Sequence, residues 1–121
     1  MSVQILKRDW EKLLGVLDDA RQQRHVLTYR AVIERVGLPS PAMQVLTAAL
    51  EYLARLDAEA ERPLRSALVV SQGASRLPRV GFFLHVQQLG LLEGEPDGLE
   101  AASWHSAEIA RVYAHDYASA P

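Results

Sequence analysis

TYRAVIERVGLPSPAMQVLTAALEYLARL, residues 28–56, is the stretch whose reading decides the fold. Thr28 is a good N-cap, because its hydroxyl accepts from the unpaired amides of a first helical turn. Val32, Ile33 and Val36 then fall on one side of a short helix over about 29–36, which Gly37 stops. Leu38-Pro39 turns the chain, the proline biasing the residue before it toward extended geometry. Ser40-Pro41 reads as the next start, a side-chain acceptor followed by a proline in the first helical position. Met43, Leu46, Leu50, Leu53 and Leu56 recur at helical spacing to about residue 60. Helix, short turn with glycine, helix is the helix-turn-helix pattern.

Outward on the N-terminal side, Ile5, Leu6, Trp10, Leu13, Leu14 and Leu17 form one apolar stripe. It predicts an amphipathic helix over about 3–23, which Gly15 weakens by about 1 kcal/mol relative to Ala. On the C-terminal side the period changes after Arg62-Pro63. Ala67-Leu68-Val69-Val70 is expected as a strand, and Ser71–Arg79 as a basic loop in the place of a wing. Residues 81–92 read as a helix ending at Gly90, 93–99 as a loop and 101–118 as a last, aromatic helix. The expected fold is mainly α with a small β wing: a winged helix-turn-helix domain with an added N-terminal and C-terminal helix. Residues 1–92 would be the core with its N-terminal supporting helix. Residues 93–121 would be an acidic loop and C-terminal helix, either part of that domain or a dimerisation arm.

The chain has 121 residues, 49% hydrophobic and 23% charged, which suits one globular domain. With no cysteine, a disulfide scaffold, a thiolate metal site and a cysteine nucleophile are excluded. The net charge of −2 advertises neither a nucleic-acid nor a membrane partner. The total hides an asymmetry. Residues 61–90 carry Arg62, Arg65, Arg76 and Arg79 against Glu61, whereas residues 91–121 carry six acids against Arg111. MSVQILKRDW lacks a signal-peptide core, and no run approaches the ~20 apolar residues of a membrane span. A soluble, bacterial-style cytoplasmic protein is the expectation.

The pieces Val26-Leu27-Thr28-Tyr29, Val36-Gly37-Leu38-Pro39 and Val69-Val70 before Ser71-Gln72-Gly73 carry a resemblance through their order and spacing. Residues 26–92 resemble the C-terminal winged-helix DNA-binding domain of the alkylguanine-DNA alkyltransferases and the alkyltransferase-like proteins. The active members of that family carry a Pro-Cys-His-Arg run where this chain has Arg65-Ser66-Ala67-Leu68. Alkyl transfer to the protein needs a thiolate, so the resemblance implies the scaffold without that reaction. The family's intercalating arginine falls at about Gln44, and the glycine three residues on is Thr47. The resemblance also matches Tyr29 to a phosphate-contacting tyrosine; a core aromatic is the other reading of that residue.

These readings give Tyr29, Arg30, Ser40, Gln44, Thr47, Arg76 and Arg79 as candidate nucleic-acid contacts. Trp104, Tyr113 and Tyr117 are expected either to pack on the first helix, burying Trp10, or to form a homodimer or partner surface. His105, Glu108 and Asp116 share a helical face and have ligand chemistry, but no second cluster faces them, so no metal is expected. No Gly-x-Ser-x-Gly elbow and no phosphate loop is present. The expectation is a non-enzymatic DNA-binding protein without cofactor, acting as a regulator on double-stranded DNA. The alternative is a protein-interaction adaptor or dimerisation module on the same scaffold without DNA.

Overall fold

A computed structural model describes residues 5–73 and 75–117. In chain order they form α1 (Lys7–Gln23), β1 (Leu27–Thr28), α2 (Tyr29–Val36), α3 (Ala42–Glu59), a 3-10 turn (Arg65–Leu68), β2 (Val69–Val70), α4 (Val80–Gln88) and α5 (Leu99–Ala114). The molecule is mainly helical, and its sheet is a two-strand parallel bridge pairing Leu27 with Val69 and Thr28 with Val70.

Local chemistry sets most of the boundaries. The Thr28 hydroxyl accepts from the Ala31 amide at 3.1 Å, and Gly37 ends α2 at φ +78°, a conformation glycine adopts without a Cβ penalty. Leu13, Leu17, Val32, Val36, Leu46 and Leu53 are buried together, so α1, α2 and α3 form one core. Each such side chain contributes about 1.5–3 kcal/mol by leaving water. A second cluster joins Ala54 and Leu64 to Phe83 and Val86 of α4 and Ala101 of α5.

Asp57, in the last turn of α3, is wholly buried. Its carboxylate accepts from Arg62 Nε at 2.6 Å and from Arg65 Nε and Nη2 at 3.2 and 2.8 Å. It also accepts from the Arg65 main-chain amide at 3.0 Å, which fixes the start of the 3-10 turn. α5 docks against the same segment through two buried polar side chains. His105 Nε2 donates to the Ala67 carbonyl at 2.8 Å, and Glu108 Oε2 accepts from the Leu64 amide at 2.8 Å. Beyond α5, the Tyr117 hydroxyl donates to the Pro63 carbonyl at 2.6 Å, and the Arg65 and Arg21 guanidiniums lie over its ring.

Several expectations are corrected. No wing hairpin is present among the described residues. Ala67 and Leu68 belong to the 3-10 turn, and β2 spends its edge on the parallel bridge to β1, a strand the sequence pattern did not suggest. In the loop after β2 the Ser71 N–H donates to the Leu77 carbonyl at 2.8 Å. Ser40 does not cap α3: Pro41 occupies the cap position, and the helix begins at Ala42. α1 starts at Lys7, after Ile5 and Leu6, and the expected start at residue 3 lies outside the described residues. α4 ends at Gln88, two residues before Gly90 and four before the expected limit, whereas α5 starts two residues early and stops at Ala114. The expected end of the last helix at residue 118 lies outside the described residues. α5 packs against α1 and the main core, where Trp10 is half-buried with Tyr52 of α3 as its ring partner, centroids 5.5 Å apart.

Asp57→Asn removes the charge that holds two arginines. It is expected to cost about 2–4 kcal/mol in urea unfolding, the low end reflecting the partial exposure of both guanidiniums. An unchanged midpoint would show that the network carries no stability. His105 gives a pH signature. Burial holds its imidazole below the ordinary value, outweighing the Ala67 hydrogen bond and the nearby Glu108 charge. The unfolded chain therefore binds a proton that the folded chain refuses. Stability is full above about pH 6.5 and falls as pH drops through the interval between the two values, by at most about 1.4 kcal/mol per pH unit. His105→Gln, which keeps an amide donor for Ala67, is expected to flatten that part of the stability-pH curve.

Candidate functional site

Tyr29 begins α2, and its ring is buried at the foot of a cleft between α3 and α4. The cleft has a volume of about 670 Å³. Gln44, Thr47 and Ala48 line it from the first two turns of α3, and Glu51 follows one turn later. Arg79 closes one side, with Val80, Phe82 and His85 from the start of α4. Four of the seven sequence-predicted contacts, Tyr29, Gln44, Thr47 and Arg79, therefore meet at one recess.

The phenol and the arginine are organised by each other. The Arg79 main-chain amide donates to the Tyr29 hydroxyl at 3.1 Å, and the Arg79 guanidinium lies 5.9 Å from the ring centroid. Burial pushes the Tyr29 phenol above its ordinary value, against the opposing pull of Arg79, so the hydroxyl stays protonated. The ring belongs to the core, as one of the two readings of Tyr29 has it, and the residue also lines the cleft. The amide bond occupies an oxygen lone pair and leaves the O–H hydrogen as a donor.

The remaining three predicted contacts lie apart from the recess. Arg30, Ser40 and Arg76 are exposed on the first turn of α2, the α2–α3 connection and the loop after β2. Arg76, at φ +51°, acts electrostatically with Arg24 on Tyr113, which places it toward the C-terminal end of α5. The basic middle segment is also thinner than its composition, because Arg62 and Arg65 are engaged by Asp57.

No family model, curated protein or solved structure matches this chain.

The aromatic side chains of α5 and of the segment just beyond it are engaged within the molecule. Trp104 is half-buried beside Phe82, with ring centroids 5.9 Å apart, so it backs the α4 wall of the cleft. Tyr113 packs on the main core under the Arg24 guanidinium, and Tyr117 makes the Pro63 bond described above. Desolvation raises both phenols, Tyr117 well beyond the ordinary tyrosine value. His105 and Glu108 are committed to main-chain bonds, with Glu108 also paired to Arg111. Among the described residues no group of three or more histidines and carboxylates is placed to hold a metal. Ser66 is buried, its hydroxyl has no hydrogen-bond partner among the described residues, and it does not line the cleft.

Sequence reasoning missed the α4 wall. The available signal was the alternation within GFFLHV, where Phe83 and Val86 face the core and Phe82 and His85 are left for another surface. Tyr29→Phe keeps the ring and deletes the acceptor for the Arg79 amide. The expected loss is about 1 kcal/mol of stability, with faster amide hydrogen exchange at Arg79. Unchanged exchange there would mean that the phenol does not hold the end of this loop.

Proposed function

We propose that this protein binds double-stranded DNA without catalysis, with α2 and α3 acting as a helix-turn-helix and the loop over 71–79 in the position of a wing. The observation that carries this reading is the convergence of Tyr29, Gln44, Thr47 and Arg79, from three chain segments, on the exposed side of α3. Recognition helices use their N-terminal turns against base edges. Gln44 and Thr47 supply amide and hydroxyl groups suited to those edges. Arg79, Arg30 and Arg76 supply the phosphate contacts that set affinity. Glu51, one turn beyond Thr47 and exposed, limits the contact to the first two turns.

Fluorescence anisotropy with a labelled random duplex at low salt tests this directly. Three phosphate contacts predict a log–log salt slope of roughly −2.7, and Arg79→Ala is expected to lower its magnitude by about one. Glu51→Gln is expected to tighten binding by removing like-charge repulsion. Absence of binding at tens of micromolar protein overturns the reading.

One observation favours the adaptor alternative. Met43, Val80 and Leu84, at 37, 55 and 45% exposure, place apolar surface around the same cleft and along α4. Self-association in sedimentation equilibrium that is lost in Leu84→Glu, combined with no duplex binding, would select it.

A further inference from the structure

Phosphate and base contact leave most of the cleft unused. Much of its wall is carbon, from Met43, Ala48, Leu50, Ala54, Val80 and Phe82, and a recess of about 670 Å³ falls in the range of small-molecule sites. Phosphate oxygens and base edges are poor occupants for such a wall. At one side the wall meets a cation and a donor: the Arg79 guanidinium over the Tyr29 ring, and the Tyr29 hydroxyl with its hydrogen unclaimed by the Arg79 amide.

We propose that the cleft binds a small aromatic monocarboxylate. Its ring lies against Phe82 and Met43, and its carboxylate pairs with Arg79 and accepts from the Tyr29 hydroxyl. A guanidinium–carboxylate pair is charge-assisted and directional, which makes the charged end, rather than the ring alone, the selected feature. Glu51, exposed at the cleft, disfavours a second negative charge on the ligand and so selects a monoanion over a dianion. The Tyr29 phenol is protonated at neutral pH, as any tyrosine is, and burial raises it further, so the donor is present there. An occupied cleft neutralises Arg79, so the ligand and a DNA phosphate exclude one another. That competition rests on the proposed DNA contact, whereas the binding of the carboxylate does not.

Isothermal titration of the full chain with 2-naphthoate, and separately with neutral 2-naphthamide, tests the site in the absence of DNA. The naphthoate is expected to bind about tenfold more tightly than the amide, the scale of one charge-assisted bond. Arg79→Gln is expected to erase that difference, and Ala48→Phe, which fills the cleft beside Thr47, to weaken both ligands. Thermal melts of each variant establish that the fold persists. No heat of binding at several millimolar naphthoate, equal affinity for acid and amide, or an acid affinity unchanged in both variants overturns the proposal. Saturating naphthoate added to the labelled duplex assay separates the two readings. Binding of naphthoate by a protein that binds no duplex removes the DNA function and leaves the ligand site standing.

Discussion

The burial of one carboxylate, Asp57, is the constraint on which the arrangement of the C-terminal half depends. A wholly buried charge is tolerated only when its lone pairs are filled and a counter-charge is at hand. Asp57 meets both conditions with Arg62, Arg65 and the Arg65 amide. Those partners lie within eight residues of it, so satisfying the carboxylate folds the chain sharply back after α3. The reversal sets Leu64 and Ala67 where Glu108 and His105 reach their main-chain groups. It also presents the Pro63 carbonyl to Tyr117 and aims β2 at β1. The docking of α5 is thus a reply to a backbone geometry fixed at the end of α3.

The same network redistributes the charge. Two of the four arginines in the basic middle segment neutralise Asp57, and Arg65 also covers the Tyr117 ring. Arg79 remains at the cleft with Tyr29, and Arg76 lies nearer α5. Electrostatic attraction at the cleft therefore depends on one well-positioned guanidinium more than on a broad field. Trp104 and Phe82 stiffen the α4 wall, so the recess is bounded by packed rings on one side and by α3 on the other.

Much of the architecture was legible where it is written locally. The Thr28 cap, the Gly37 stop and the stripes of α1 and α3 depend on residues within a turn of one another, and all three helices are present, though α3 begins at Ala42 rather than at the expected Ser40-Pro41 start. The pairing of β2 was not legible, and the hairpin expected there is absent among the described residues. Val69 and Val70 have β-branched side chains, but whether such a pair joins a hairpin or a parallel bridge is decided by a partner far away in sequence. The role of Asp57 was hidden for the same reason. A lone acid near a helix end reads as solvated, and only the return of the chain buries it. In the cleft, Gln44, Thr47, Tyr29 and Arg79 were singled out through the helix order and the family resemblance, while Phe82 and His85 escaped because α4 looked like core alone.

The register of Leu27 with Val69 and Thr28 with Val70 bears on how the chain reaches this state. The partners are separated by 42 positions (69 minus 27), and closing a flexible loop of that length costs about 3 kcal/mol in chain entropy. Two pairs of strand residues cannot repay that by themselves. α2, α3 and the return after Asp57 must already have drawn the ends together, which makes the bridge a late event whose formation reports that the helical core has closed. Among the backbone contacts described, this parallel pairing is the one whose appearance in time would mark completion of the fold rather than its beginning.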